Sequence, residues 1–191
     1  MNKINIEERD AFVKYVNECQ LKVPEEVARL FLEYTIAIWD YKLVGLIYKF
    51  YDDDCVIHRE GGLEIQGLDA TFGGTLSFMA SCPDLKFVFL DIFAQGNEKD
   101  GYSFGQAIYY DGTNTGYSSY GPPTGKKLTE DVPCIGLCEC LVKKVNGRWK
   151  IVEEWLLRSG KAMNEVFTQD QIEPDQIACD GLTENESIKE R

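Results

Sequence analysis

The chain has 191 residues, 44% of them hydrophobic and 12% aromatic, which is enough for one domain with a packed core but not for a second full domain. The net charge of −12 is spread along the sequence, so no clustered Lys and Arg are available for nucleic acid. No apolar run approaches the roughly 18 residues of a membrane span. The residues after Met1 also lack the pattern of a secretory signal. We therefore expect a soluble, cytoplasmic protein with neither nucleic acid nor membrane as a partner.

The first third of the chain predicts helices. Apolar residues among charges between Glu7 and Cys19 predict an extra helix within residues 1–22. From Pro24 to Tyr41, apolar residues recur at helical spacing, and Pro is favourable in a first turn. A second helix is predicted from Lys42 to Phe50, and the acidic run Asp52–Asp54 is expected to end it and to cap the next element.

The remainder predicts mainly strands. Cys55 to Glu60 is strand-like, and Gly61-Gly62 turns the chain back into a short segment that ends at Gly67. A third helix, capped by Asp69, is predicted from Asp69 to Ala80. Four longer strands are predicted at Leu85–Gln95, Tyr102–Asp111, Lys127–Lys144 and Trp149–Arg158. Helices followed by a run of antiparallel strands are the layout of an α+β protein.

The end of the sequence changes in character. Gly160 to Phe167 is amphipathic and predicts either a helix or an irregular return. Residues 169–191 are acidic and poor in large apolar residues, which predicts a mobile tail. The domain organisation expected is thus an extra helix in residues 1–22, one domain in residues 23–168 and the tail.

Short motifs occur in a characteristic order. They are Trp39-Asp40, His58, Pro83-Asp84, the run Gly112–Gly116, the corner Pro122–Lys126 and the closing strand Gly147–Trp155. Together they resemble the SnoaL-like branch of the nuclear transport factor two-like superfamily, which includes polyketide cyclases. The resemblance covers roughly Val27 to Leu157. It departs from the pattern at Asn114, where His is frequent, and through two extra residues, Arg148 and Trp149.

The resemblance implies a fold and a type of chemistry. The fold is a cone-shaped, curved antiparallel sheet wrapped on N-terminal helices, also called a cystatin-like or nuclear transport factor two-like α+β barrel. The cyclases of this family are thought to use no metal and no organic cofactor, since a pocket carboxylate removes a proton next to a carbonyl. The resemblance also implies a homodimer formed through the open sheet. Because the fold hosts many activities and many binding proteins, it does not fix the function.

Three residues are candidates for proton transfer. His58 is the sole His and titrates near neutral pH, but a backbone carbonyl at a turn could equally satisfy it. Asp91 is predicted on the same strand face as Phe87 and Phe89, as well as Phe93, so its carboxyl is either buried with a raised pKa or exposed at a strand edge. Glu139 alternates with apolar residues and poses the same choice.

Other residues are candidates for substrate binding. Asn114 can polarise a carbonyl oxygen but cannot carry a proton, and the alternative is a turn residue between two glycines. Five aromatic residues would line a pocket for a flat ring, or belong to the ordinary core. They are Tyr34, Trp39, Tyr48, Phe72 and Trp155.

Cysteine and glutamate patterns leave questions open. Cys134, Cys138 and Cys140 fall on one strand face, which favours small buried residues in a reducing compartment over a metal or redox site. We therefore expect neither metal nor cofactor.

Glu153 and Glu154 point to opposite faces of the last strand, and the sequence does not show which one faces a cavity.

The sequence thus predicts a cofactor-independent proton-transfer enzyme of the cyclase, isomerase or dehydratase type. It would act next to a carbonyl of a small hydrophobic, cyclic or aromatic molecule. His58 would exchange the proton with Asp91 or Glu139, and Asn114 would orient the substrate oxygen. The alternative is a module of the same fold that binds a small ligand or forms a homodimer without catalysis.

Overall fold

The computed structural model describes residues 23–128 and 133–168. The predicted helix within residues 1–22 and the tail at residues 169–191 lie outside the described residues. None of the described helices is long and apolar enough to cross a membrane.

The described chain begins with a bent run of helices. Helix α1 (Glu25–Glu33) follows Pro24 and passes directly into a π-helical stretch (Tyr34–Asp40) that turns a row of apolar side chains into the core. A 3-10 turn (Val44–Leu46) and the short helix α2 (Ile47–Phe50) come next. This second helical segment begins later than predicted, because Lys42 has a left-handed φ of 59° that interrupts any helix there.

The strands and the remaining helices follow in the predicted order. They are β1 (Tyr51–Arg59), β2 (Glu64–Gln66), α3 (Leu68–Ser81), β3 (Lys86–Asn97), β4 (Gly101–Thr113), β5 (Lys127–Leu128), β6 (Ile135–Val145), β7 (Arg148–Arg158) and α4 (Gly160–Phe167). Three predictions need correction. The run Asp52–Asp54 lies inside β1 instead of ending a helix, the predicted strand Lys127–Lys144 is two strands, and the α3 cap is Gly67, without a side-chain bond from Asp69.

The strands form a seven-stranded sheet in the order β2-β1-β7-β6-β4-β3, with β5 paired to β4. The pairing of β1 with β7 is parallel, so the sheet is mixed and not wholly antiparallel as predicted. Register shifts occur between Phe89 and Asp91 in β3 and between Leu141 and Val142 in β6. Such bulges increase the local bend of a strand, in keeping with the curved, open sheet of a cone-shaped α+β fold.

The two faces of the sheet have different surroundings. The inner face packs on the helices, as where the ring of Phe31 stacks on that of Phe104 with centroids 4.5 Å apart. The predicted shared face of Cys134, Cys138 and Cys140 is confirmed, since all three are buried. The outer face instead exposes large apolar side chains to solvent. They are Val88, Leu90, Phe93, Ile135, Leu137, Trp155 and Leu157.

Candidate functional site

A small cavity lies on the inner face, between α3 and strands β1 and β7. Its volume is about 30 Å³, and a site of that size holds about one water molecule. Both ionisable and aromatic residues line it. The main ones are Trp39, Tyr51, Arg59, Phe78, Glu154 and Arg158.

Glu154 is the buried acid of this cavity. Alternation along β7 turns it inward, and its side chain is 3% exposed. The Tyr51 hydroxyl donates a hydrogen bond to Oε2, and the Cys138 thiol lies 3.5 Å from Oε1 as a second donor. Burial raises the pKa of Glu154, although these two donors and the nearby Arg158 oppose the rise. A carboxyl whose environment favours the neutral form is suited to take and return a proton nearer to neutral pH.

Sequence reasoning did not single out Glu154, Tyr51 and Arg158. The sequence does not distinguish Glu154 from Glu153, because alternation shows that two neighbours face opposite sides of a strand but not which side faces the core. The structure shows that Ile151 and Glu154 are both buried, which does not fit the strict period of two that the sequence pattern assumes. A bulge in β7 produces this departure, because Leu141 and Val142 pair with Glu153 and Ile151 and leave Val152 as the extra residue.

Three side chains near the cavity could hold a metal ion. Among the described residues, the ligand atoms of Cys138, Cys140 and Glu154 form a group within 4.8 Å of one another. Burial raises the pKa of the Cys140 thiol well above its ordinary value, so it is protonated at neutral pH. Metal binding there would have to displace that proton.

His58 lies outside the cavity, on the outer face. Its Nε2 is 2.8 Å from Glu153 Oε1 and its Nδ1 is 3.0 Å from Glu64 Oε1, while its ring stacks on Trp155 at a centroid distance of 5.3 Å. This differs from the predicted proton exchange with Asp91 or Glu139. The reason is register, because His58 pairs with Glu64 and Trp155 across the sheet.

Asp91 and Glu139 also lie on the outer face. The β3 bulge reverses the alternation after Phe89, so Asp91 does not share a face with Phe87 and Phe89 as predicted, and its Oδ1 accepts from the backbone N–H of Ile92 at 2.9 Å. Glu139 accepts a hydrogen bond from the Ser103 hydroxyl. Asp91, Glu139 and Trp155 do come together, as part of the lining of an outer groove of about 310 Å³.

The predicted aromatic lining is divided among separate places. Trp39 lines the inner cavity. Tyr34 is buried in the core with its hydroxyl 3.8 Å from Cys138 Sγ. Tyr48 and Phe72 form a pair away from that cavity, with ring centroids 5.4 Å apart, and Trp155 belongs to the outer groove.

Asn114 is buried in a loop contact outside both cavities. Its side-chain N–H donates to the Ser81 carbonyl at 2.9 Å, and its Oδ1 accepts from the backbone N–H of Thr124 at 2.8 Å and from the Thr124 hydroxyl at 3.1 Å. These bonds occupy the amide on both sides. Because Asn114 lines neither the inner cavity nor the outer groove, it lies away from the places where a substrate oxygen could be oriented.

The His58 ring gives a direct test of the outer-face geometry. The hydrogen bond with Glu153 raises the pKa of His58 above 6.5, against a smaller opposing effect of burial, and Glu64 adds to the rise. We expect a proton NMR titration of the sole His to show this, and Glu153→Gln to move the midpoint down. Glu139→Gln is the matched control and should not move it. A midpoint that Glu153→Gln leaves unchanged would contradict the contact.

The sign of the linked stability change follows. The pKa of His58 is raised on folding, so protonated His58 stabilises the folded state. This stabilisation is present at pH values below the pKa of the unfolded state and is lost as pH rises through the pKa of the folded state. Glu153→Gln should therefore lower the thermal unfolding midpoint less at alkaline pH than at acid pH.

Solved structures share this architecture. A protein described as a candidate SnoaL-like polyketide cyclase from Jannaschia sp. CCS1 is 13% identical with a TM-score of 0.54, covering 78% of this chain and 97% of its own. A ketosteroid isomerase-like protein from Erwinia carotovora atroseptica is 18% identical with a TM-score of 0.53, covering 71% and 98%. An uncharacterised cystatin-like protein from Caulobacter vibrioides is 13% identical with a TM-score of 0.56, covering 74% and 93%.

By sequence, neither a protein-family model nor a curated protein matches the chain. The structural matches show the fold. The chain has the cystatin-like α+β fold shared by SnoaL-like and ketosteroid isomerase-like proteins, which is the fold that the motif resemblance predicted.

Proposed function

We propose that the chain is an acid–base enzyme that moves a proton at a carbon next to a carbonyl of a small molecule. The reaction would be of the cyclase, isomerase or dehydratase type, and the inner cavity would be its site. The observation that carries the proposal is Glu154, a buried carboxyl with a raised pKa that is hydrogen-bonded to Tyr51 beside a guanidinium. Enzymes make a general base near neutral pH in this way.

The roles follow from the side chains present. Ionised Glu154 accepts the proton from the substrate carbon, so a C–H bond breaks, an O–H bond forms on the carboxyl and an enolate results. The Arg158 guanidinium is the donor that would stabilise the enolate oxygen, whereas the single hydroxyl proton of Tyr51 is donated to Glu154. Glu154 then returns the proton to a carbon or to a departing oxygen. No organic or metal cofactor enters these steps.

The size of the cavity limits the substrate. A space of about 30 Å³ holds about one water molecule, so any organic substrate, from a short oxo acid to a ring, requires α3 to move outward. Gly73 and Gly74 lie in the middle of α3, and a Cβ at Gly73 would meet no atom within 4 Å, so packing does not require a glycine there. Each helical glycine costs about 1 kcal/mol relative to Ala, so α3 is the wall that this proposal expects to move.

The test is exchange of substrate protons for deuterium. Pyruvate, cyclohexanone and acetophenone, each incubated with the protein in D₂O, would be followed by proton NMR at the carbon next to the carbonyl. The proposal expects faster exchange with native protein than with heat-unfolded protein for at least one compound. Equal rates for the whole panel would count against proton-transfer catalysis and favour a ligand-binding role.

A second proposal, independent of catalysis, concerns the outer face. The exposed apolar side chains there, among them Leu137 at 53% and Leu157 at 50%, form a patch whose natural cover is the same patch of a second copy. Two chains that each carry −12 repel at long range, so a stable contact has to come from apolar burial. We propose a homodimer formed through this face.

Leu137→Arg should abolish the dimer, because it places two unpaired charges in the apolar contact. The matched control is Leu63→Arg, since Leu63 is similarly exposed at 58% but lies outside the patch. Sedimentation velocity should show a mass of two chains for the native protein and the control, and of one chain for Leu137→Arg. A native monomer, or a dimer that survives Leu137→Arg, would exclude this interface.

A further inference from the structure

Arg158 is an unusual residue to find in the inner cavity. It is 8% exposed, and its guanidinium lies over the Phe78 ring, 4.5 Å from the centroid, and 6.0 Å from that of Tyr110. Neither Nε nor Nη1 has an acceptor among the described residues. Arg158 lines the same cavity as Glu154. Two buried guanidinium nitrogens without acceptors are costly, so an acceptor is expected to reach them when the site is occupied.

The cavity contains a second arginine, Arg59, which differs from Arg158 in having a carboxylate partner. Arg59 Nη2 is 3.2 Å from Glu60 Oε1, so its charge has a carboxylate partner. Arg158 makes no such ion pair among the described residues, although its charge acts at longer range on the carboxyls of Glu154 and Glu60. Glu154, whose carboxyl lines the same space, is shifted by burial toward its neutral form. Ionised Glu154 and Arg158 carry opposite charges, yet neither Nε nor Nη1 of Arg158 has Glu154 as its acceptor.

We propose that the ligand of the inner cavity carries a carboxylate, which Arg158 binds, so that the substrate class is the short oxo acids. That the ligand contains a carbonyl rests on the proposed function. That it contains a carboxylate rests only on the surroundings of Arg158. An oxyanion fits better than a neutral oxygen because it both accepts from the guanidinium and neutralises it. A water molecule would supply only the acceptor.

The experiment compares carboxylates with their neutral amides. Acetate, pyruvate and benzoate would be titrated into the full chain by calorimetry, each beside acetamide, pyruvamide or benzamide. A charge-assisted hydrogen bond predicts that at least one carboxylate binds about tenfold or more tightly than its amide. Arg158→Gln should remove this preference and Arg158→Lys should keep part of it. The exposed Arg148 on the same strand provides the control Arg148→Gln, which should retain all of it.

Three results would overturn the inference: no carboxylate binding, equal binding of acid and amide, or a preference that Arg158→Gln leaves intact. The comparison on native protein needs no variant, so a folding defect in Arg158→Gln does not remove the test. Its failure is also distinct from failure of the proposed function. If carboxylates bind but no deuterium exchange occurs, this inference stands and proton-transfer catalysis is excluded. If neutral ketones exchange but carboxylates are not preferred over amides, proton-transfer catalysis stands and this inference is excluded.

Discussion

Glu154→Gln should slow deuterium exchange by about 10²–10⁴-fold, the range by which a positioned acid or base accelerates proton transfer. The amide has nearly the shape of the carboxyl and can still accept from the Tyr51 hydroxyl, but it cannot take a proton from carbon. The matched control is Glu153→Gln, one residue away on the outer face, where the side chain bonds His58. Exchange by this control should stay close to the native rate.

The pH dependence adds a second readout. Because the pKa of Glu154 is raised, the native rate should rise with pH through a midpoint above 4.5, and this step should vanish in Glu154→Gln. A raised folded pKa contributes stability that is present at acid pH and lost as pH rises through it. The Gln variant is thus expected to unfold at a temperature no lower than native protein at neutral pH. Exchange that survives Glu154→Gln would exclude this residue as the base.

The fold was predictable because its signals are local. Apolar spacing located α1, the range predicted for α3 from its expected cap matches to within one residue at each end, and β3, β4 and β7 match to within two. The failures have long-range causes. Asp52–Asp54 looks like a break in the sequence, yet the run lies inside β1, whose residues on either side, Tyr51 and Val56, pair with Ile151 and Glu153 of β7. Strand pairing between residues a hundred positions apart leaves no local pattern.

The site was harder to predict because it depends on which face a residue takes. A bulge between Phe89 and Asp91 reverses the alternation of β3, and no turn residue marks it in the sequence. The motif residues His58 and Asn114 were noticed because of the family resemblance. Both have their hydrogen-bonding atoms occupied by protein groups, whereas the cavity acid Glu154 lies in the closing-strand motif, where it was indistinguishable from its neighbour.

Asn114→Ala should lower the free energy of unfolding by about 3 kcal/mol, since a buried donor or acceptor that loses its partner costs roughly 1–3 kcal/mol. The amide is 1% exposed and joins the end of α3, through Ser81, to the loop that contains Thr124. Alanine would leave the Ser81 carbonyl and the Thr124 N–H without that partner. Urea unfolding followed by tryptophan fluorescence would measure the loss.

The control for this prediction is another asparagine with comparable bonds but without burial. Asn97 is exposed in the β3–β4 turn, where its Oδ1 accepts from the N–H groups of Lys99 and Asp100, both at 2.9 Å. Water can replace those bonds, so Asn97→Ala should cost about 1 kcal/mol or less. If both variants cost the same, burial is not what makes Asn114 important.

A functional measurement separates the two interpretations of Asn114. With a structural role, folded Asn114→Ala protein should exchange substrate protons at close to the native rate per molecule, because the residue is absent from the lining of the inner cavity. With the predicted substrate-binding role, the rate should fall while the fold persists. The hydrogen bonds to Ser81 and Thr124 favour the first outcome, since they hold the amide in a loop contact away from the inner cavity.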